Sequence, residues 1–273
     1  MSAVRVEAGN IVRPPKAGSA VRDMLAVTGR NLTSIKRVPQ LLVFTLIQPI
    51  IFVVLFRYVM GGSIRVPGVS YVNYLVPGIF IQTVTFGALQ TAIGMAADLK
   101  SGLVERFRSL PMSRSAVLAG RTTADLIRNI IVVALIAGVG FLVGFRVQTS
   151  ALEFFGALLL VILFSYVLSW VFATVGLLVG DPESAQAAAF PVMAPFVFAS
   201  SAFVAVQNMP EWLQGFAANQ PVSVMASAVR GLSIGQLPGA DPTSDYVIKA
   251  LLWCAAILVV MMPLAIWRYR KTV

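Results

Sequence analysis

Six stretches of predominantly apolar residues dominate this chain, and each is close to the length of about 20 residues that a membrane-spanning helix needs. They are residues 41–60, 71–97, 119–145, 152–179, 187–206 and 247–267. Of the 273 residues, 58% are hydrophobic and only 12% are charged. A typical soluble domain is about 25% charged, so a soluble core could not bury this much apolar surface. The sequence therefore predicts an all-α membrane protein with six transmembrane helices.

The distribution of lysine and arginine predicts the orientation of the chain. Most of the 21 basic residues lie before the first span, between the second and third spans, or in the tail 268–273. Cytoplasmic loops of membrane proteins are enriched in these residues. We therefore expect a multi-pass protein of the cell membrane with both termini in the cytoplasm. The net charge of +10 has the same explanation, so it does not indicate a nucleic-acid partner.

The chain divides into an N-terminal segment, residues 1–38, and a six-span transmembrane domain, residues 39–273. In the N-terminal segment, Val21, Leu25 and Leu32 recur at helical spacing while basic residues occupy other faces. This pattern is typical of an amphipathic helix that lies on the cytoplasmic membrane surface. A cytoplasmic extension of the first span is the alternative interpretation.

The loop between spans five and six, residues 207–246, is long and hydrophobic rather than polar. Pro210 and Pro221 are each suited to the first turn of a helix, and Gly231 and Gly235 can end the second. Both helices would be too short to cross a bilayer. We therefore expect two short re-entrant helices that dip back into the outer leaflet.

Several kinds of chemistry are missing from this sequence. It has no histidine, and its single cysteine is Cys254, so the usual general base and a cysteine-based metal site are absent. No segment matches the phosphate-binding G-x-x-x-x-G-K-[ST] loop. We expect no catalytic residues, no metal site and no cofactor bound by this chain itself. An integral membrane enzyme or a non-transporting scaffold stays open as an alternative from a different class.

Polar residues inside the predicted spans are mild in character, apart from one charged pair. Asp125 and Arg128 lie three residues apart in the third span, so they share a helix face and can pair. They form either an intrahelical pair that lets the helix insert or a polar contact at a cytoplasmic gate. Aromatic and amide side chains elsewhere would suit the passage of a bulky amphiphile, although each is equally compatible with ordinary packing. The candidate pathway residues are Gln48, Phe80, Gln82, Phe86, Phe196 and Phe198.

The loop between spans two and three, residues 98–118, carries the densest charge cluster, within "LVERFRSLPMSRSAVLAGR". Connections between packed helices usually take about 2–8 residues, so this loop is long. Pro111 interrupts a helix, and Ser113 can cap the next one. A charged, structured element of this kind is suited to binding a soluble partner, although a signal for topology alone is the alternative. Lys100, by contrast, is expected to be a solvated charge without a partner.

Two motifs resemble a known family. "GLVERFRSLPMSRSAVLAGR" resembles the cytoplasmic-loop signature of type-2 ABC exporter permeases, and in particular the daunorubicin-resistance permease group. "NQPVSVMASAVRGL" is similar to the segment that precedes the last span in that family. The order of elements agrees over nearly the whole chain, from the surface helix through six spans to the short basic tail.

The resemblance implies a permease subunit that pairs with a second copy of itself or with a paralogous permease. It implies a separate ABC ATPase that binds ATP and Mg, with membrane lipids and a hydrophobic substrate as further partners. The substrate would be a drug or a lipid-like amphiphile, and the alternative is a polysaccharide or glycolipid exported by the same architecture. The residues implied in coupling to the ATPase are Glu105, Arg106, Arg108, Pro111, Ser113 and Arg114.

Overall fold

A computed structural model of the protein describes residues 24–25, 27–29, 39–60, 68–102 and 114–272. Within these ranges the regular structure is entirely helical, which confirms the all-α prediction. The α-helices are α1 (Pro39–Leu55), α2 (Tyr71–Lys100), α3 (Arg114–Val143), α4 (Ala151–Val179), α5 (Pro182–Phe198), α6 (Glu211–Asn219), α7 (Pro221–Ile234) and α8 (Thr243–Thr272). A π-helical turn, Phe56–Met60, continues α1, and a 3₁₀ turn, Val206–Asn208, precedes α6.

Among the residues that the structure describes, four helices are long and apolar enough to cross a membrane: α2, α3, α4 and α8. At 1.5 Å per residue, a 30-residue helix is about 45 Å long. This finding supports the membrane protein that the composition predicts. The apolar parts of α1 and α7 are shorter, and α5 has 17 residues, so the six-span arrangement stays a prediction.

The predicted fifth span, residues 187–206, is wrong in its bounds, because α5 runs from Pro182 to Phe198. The helix begins earlier because the Asp181 side chain caps it and Pro182 occupies its first turn. It ends earlier because side chains from other helices bind the carbonyl groups that a continuing helix would use. The carbonyl of Ser201, for example, accepts hydrogen bonds from both Tyr74 and Arg230.

Helix α2 is the centre of the bundle and packs against α1, α3, α4, α5 and α7. The apolar part of α2 is 89% buried inside the protein, whereas that of α8 is only 17% buried. Two glycines allow backbone from other parts of the chain to approach α2 closely. Gly176 of α4 lies against the Ala92 carbonyl of α2, and Gly78 of α2 lies against the Ala202 carbonyl, so a side chain at either position would collide with backbone. The central position of α2 explains why its polar residues are buried.

Helices α6 and α7 are the two short helices that the sequence predicts between the fifth and sixth spans. Pro221 occupies the first turn of α7, where the Gln220 side chain accepts a hydrogen bond of 2.9 Å from the Val222 backbone. Gly235 ends the helix with a φ of 84°, a conformation that favours glycine. Helix α7 packs against α2, α4 and α8. Re-entry of these helices into the outer leaflet stays a prediction.

The described residues of the N-terminal segment are helical and pack on the start of α3. The Thr28 hydroxyl donates to the Met24 carbonyl at 2.8 Å and to the Gly120 carbonyl of α3 at 3.0 Å. Val27 is buried, whereas Leu25 is 59% exposed. The segment therefore has one face against the bundle and one apolar face open, and the rest of residues 1–38 lies outside the described ranges.

Candidate functional site

The charged loop that the sequence singles out lies between two well-defined helix ends. Residues 103–113 are outside the described ranges, so the predicted coupling residues Glu105, Arg106, Arg108, Pro111 and Ser113 are outside them too. Arg114 is the first residue of α3, and its side chain is also outside the description. The described part of the site is therefore the pair of helices, α2 and α3, from which the loop emerges.

An ion pair joins these two helices close to the loop. The Arg121 guanidinium of α3 donates a hydrogen bond to the Asp98 carboxylate, which lies in the last turn of α2. Both side chains are less than one quarter exposed. Gly94 makes room for the contact, because a side chain there would collide with the Arg121 guanidinium. The pair therefore ties α2 to α3 immediately beside the loop.

The predicted pair of Asp125 and Arg128 forms on α3, with 3.2 Å between Nη1 and Oδ1. Each partner also binds α2. The Thr91 hydroxyl donates to the second carboxylate oxygen of Asp125 at 2.7 Å, and Arg128 donates to the Gly87 carbonyl at 3.1 Å. The pair is therefore both an intrahelical pair and a contact between helices. Its role as a gate stays a prediction.

Asn129 extends this polar layer to a third helix. Its side-chain amide donates a hydrogen bond of 2.6 Å to the Ser165 hydroxyl of α4, and both residues are buried. The sequence analysis singled out neither Asn129 nor Thr91. The sequence does contain a pattern that predicts the position of Asn129. It follows Asp125 by four residues, a spacing that places both on one face of α3.

Lys100, at the end of α2, pairs with the start of α5. Its ammonium lies 2.5 Å from Asp181 and 3.6 Å from Glu183. The expectation of a solvated charge without a partner is therefore wrong, because the folded chain brings the end of α2 to the start of α5. Asp181 also caps α5 by accepting a hydrogen bond from the backbone of Ser184. The bond from Lys100 and that cap lower the pKa of Asp181 to about 2.

The structure does not gather the six candidate pathway residues around one space. Phe80 and Gln82 are buried within α2, whereas Phe196 and Phe198 are exposed on α5. Gln48 and Phe86 are half-buried. A large cavity lies at the end of the bundle opposite the loop 103–113, and none of the six residues lines it. Their role in a pathway therefore stays a prediction. Within the described ranges, no group of three histidine, cysteine, aspartate or glutamate side chains could hold a metal ion.

That large cavity has a volume of about 670 Å³ and lies beside the first turns of α2. Its wall includes Tyr74 of α2, Ser201 of the turn after α5, and Ser223 and Arg230 of α7. Arg230 is 2% exposed. It lies in the segment predicted as an outer loop, residues 207–246, and the structure shows that it is buried in the bundle.

Comparison with known proteins assigns the chain to a family. The family model for the ABC-2 type transporter matches residues 22–234. The chain is 31% identical over 261 residues to the daunorubicin resistance ABC transporter permease protein DrrB1 of Streptomyces coeruleorubidus. The aligned region covers 95% of this chain and 89% of the relative. The chain is 26% identical over 280 residues to the doxorubicin resistance ABC transporter permease protein DrrB of Mycobacterium tuberculosis (strain CDC 1551 / Oshkosh), with 96% of both chains covered. The chain therefore belongs to the ABC-2 type transporter family, as a transmembrane permease.

Proposed function

We propose that this permease is the membrane subunit of an ATP-driven exporter that moves a hydrophobic drug or a lipid-like amphiphile out of the cytoplasm or the inner leaflet. The names of two relatives, which are resistance permeases for daunorubicin and doxorubicin, support a drug of that type. The sequence has no phosphate-binding loop, so a separate ABC ATPase would bind ATP and Mg. A second copy of the chain or a paralogous permease would complete the membrane part.

The proposed topology has six spans, with α1 and α5 as the first and fifth. Packing at one end of the bundle supports it. Tyr269 in the last turns of α8 packs in one cluster with Met95 of α2, Leu118 of α3 and Leu177 of α4. The basic end of α8 and the loop 103–113 therefore lie at the same end, and the excess of basic residues there favours the cytoplasm.

The ion pair between Asp98 and Arg121 is the observation that carries the proposed coupling. It fixes α2 and α3 to each other beside the loop, and the bonds from Thr91 to Asp125 and from Arg128 to Gly87 continue the connection into the bundle. An ATPase that binds the loop would therefore move α2 and α3 together. Because α2 contacts five other helices, this movement would reach the whole bundle.

Transport by inverted membrane vesicles tests the proposal. Vesicles that contain the chain together with an ABC ATPase that co-purifies with it should accumulate daunorubicin when ATP and Mg are supplied. Vesicles that contain only one of the two proteins should not accumulate the drug. Drug accumulation by the chain alone, or accumulation by the complex without ATP, would contradict an ATP-driven exporter with a separate ATPase.

A further inference from the structure

Arg230 of α7 is a buried cation held by backbone carbonyl groups. Its Nε donates a hydrogen bond of 2.8 Å to the Tyr74 carbonyl, and its Nη2 donates to the carbonyls of Ser201 at 2.6 Å and Ala202 at 3.3 Å. The guanidinium carbon lies 3.7 Å from the centre of the Tyr74 ring. These contacts fix the side chain in one position against α2.

No acidic side chain neutralises Arg230 within the residues that the structure describes. Asp241 lies in the same region, but it pairs with Lys249 at 3.4 Å. Carbonyl dipoles and an aromatic ring stabilise a cation, but they leave its full positive charge in place. A buried charge without an opposite charge is costly, and a bound anion would remove that cost.

Arg230 also borders space that can hold a ligand. Arg230 lines the cavity of about 670 Å³, and pockets for small molecules usually measure about 300–1,000 Å³. The amides of Gln207 and Gln214 and the hydroxyl of Ser227 line the same cavity, and Val206 and Leu237 supply apolar wall. This wall suits a molecule with one anionic group and an apolar body.

We propose that this cavity binds the carboxylate or phosphate group of an amphiphile, with Arg230 as the opposite charge. Tyr74 lies in the first turn of α2 and Asp98 in its last turn, so the site is at the end of the bundle away from the loop 103–113. Its placement on the exit side rests on the proposed topology, whereas binding itself does not depend on export. The anionic group belongs either to a soluble amphiphile or to a lipid headgroup.

A purely structural role for Arg230 is the competing explanation, because its carbonyl contacts stabilise the turn after α5. Two variants separate the explanations. Ser227→Phe fills the cavity but leaves the hydrogen bonds of Arg230 in place, since none of them involves Ser227. Arg230→Gln removes the charge. Arg146→Gln is the matched control, because it removes a basic residue near the same end of the bundle that does not line this cavity.

The test is calorimetric titration of the purified full-length chain in phosphatidylcholine nanodiscs with octyl phosphate, and with octanol as the neutral probe of equal length. Wild type and Arg146→Gln should bind octyl phosphate at least about tenfold more tightly than Ser227→Phe and Arg230→Gln, which is the expected effect of losing one charge-assisted contact. Octanol should not distinguish the four proteins. If Arg230→Gln does not fold, Ser227→Phe decides the result alone.

The proposal is overturned if wild type binds octyl phosphate no better than octanol, or if Ser227→Phe binds octyl phosphate as wild type does. Repeating the titration in phosphatidylglycerol nanodiscs identifies the source of the anionic group. A weaker apparent affinity there means that a lipid headgroup occupies the site, and an unchanged affinity means that a soluble amphiphile does. The ATPase takes no part in this measurement, so its outcome is independent of the export assay.

Discussion

The Thr91 hydroxyl of α2 donates a hydrogen bond of 2.7 Å to the Asp125 carboxylate of α3. The same carboxylate pairs with Arg128, one turn along its own helix. Through Thr91 and the contact of Arg128 with the Gly87 carbonyl, a charged pair inside an apolar span becomes a connection between two helices. The polar layer is therefore part of how the bundle is held together beneath the loop.

Breaking this pair should destabilise the bundle. Asp125→Ala leaves Arg128 buried without its partner, and such a change costs about 3–5 kcal/mol. Thr91→Val should cost about 1 kcal/mol, because it removes one hydrogen bond. Thermal unfolding of the purified chain measures both effects. The double variant Asp125→Asn with Arg128→Met removes both charges and should recover part of the loss. An unfolding temperature of Asp125→Ala equal to that of wild type would show that the pair is not buried.

The ion pair between Asp98 and Arg121 should affect coupling more than assembly. Asp98→Asn and Arg121→Gln each break the ion pair, and each should reduce drug-stimulated ATP hydrolysis by the assembled complex while the ATPase still co-purifies. Because both changes remove the same interaction, the double variant should be little worse than either single variant. Additive losses in the double variant would show that the two residues act independently.

If the loop couples the permease to an ATPase, changes in its contacts or its shape should impair export. If it is only a topology signal, they should not. If the proposed coupling is right, Glu105→Ala would remove a polar contact to the ATPase, at a cost of about 1.5–3 kcal/mol and about tenfold or more in affinity. Pro111→Ala should let the two helical segments that the sequence predicts on either side of it merge. Both variants should insert at normal levels and lose drug export, and Glu105→Ala should also lose ATPase during co-purification. Ser109→Ala, in the same loop, is the control, and normal export by both loop variants would leave only the topology role.

The orientation of the chain can be measured with cysteine labelling. In a Cys254→Ala background, Ser109→Cys should react with a membrane-impermeant thiol reagent only after the cells are opened. Asp241→Cys should react in intact cells, because its exposed side chain lies at the opposite end of the bundle from the loop. Labelling of Ser109→Cys in intact cells would reverse the predicted orientation.

The sequence by itself determined the features that depend on neighbouring residues. Apolar stretches of membrane length predicted an all-α membrane protein. Pro221 predicted the start of α7, and Gly235 was one of two glycines predicted to end it, the other being Gly231, which lies inside the helix. The spacing of three residues predicted the pair of Asp125 and Arg128. The two quoted motifs identified the family that the comparisons confirm. All of these follow from helical periodicity and from backbone rules that act within one or two turns.

Only the tertiary structure decided which distant groups meet. Lys100 pairs with Asp181, 81 residues away, and Arg230 becomes a buried cation through contacts with Tyr74 and Ser201. The predicted pathway residues Phe80 and Phe198, although both aromatic, lie in the core and on the surface respectively. Contacts of this kind depend on the rotation and depth of each helix against its neighbours. Periodicity within one helix sets which residues share a face, but packing between helices sets what that face touches.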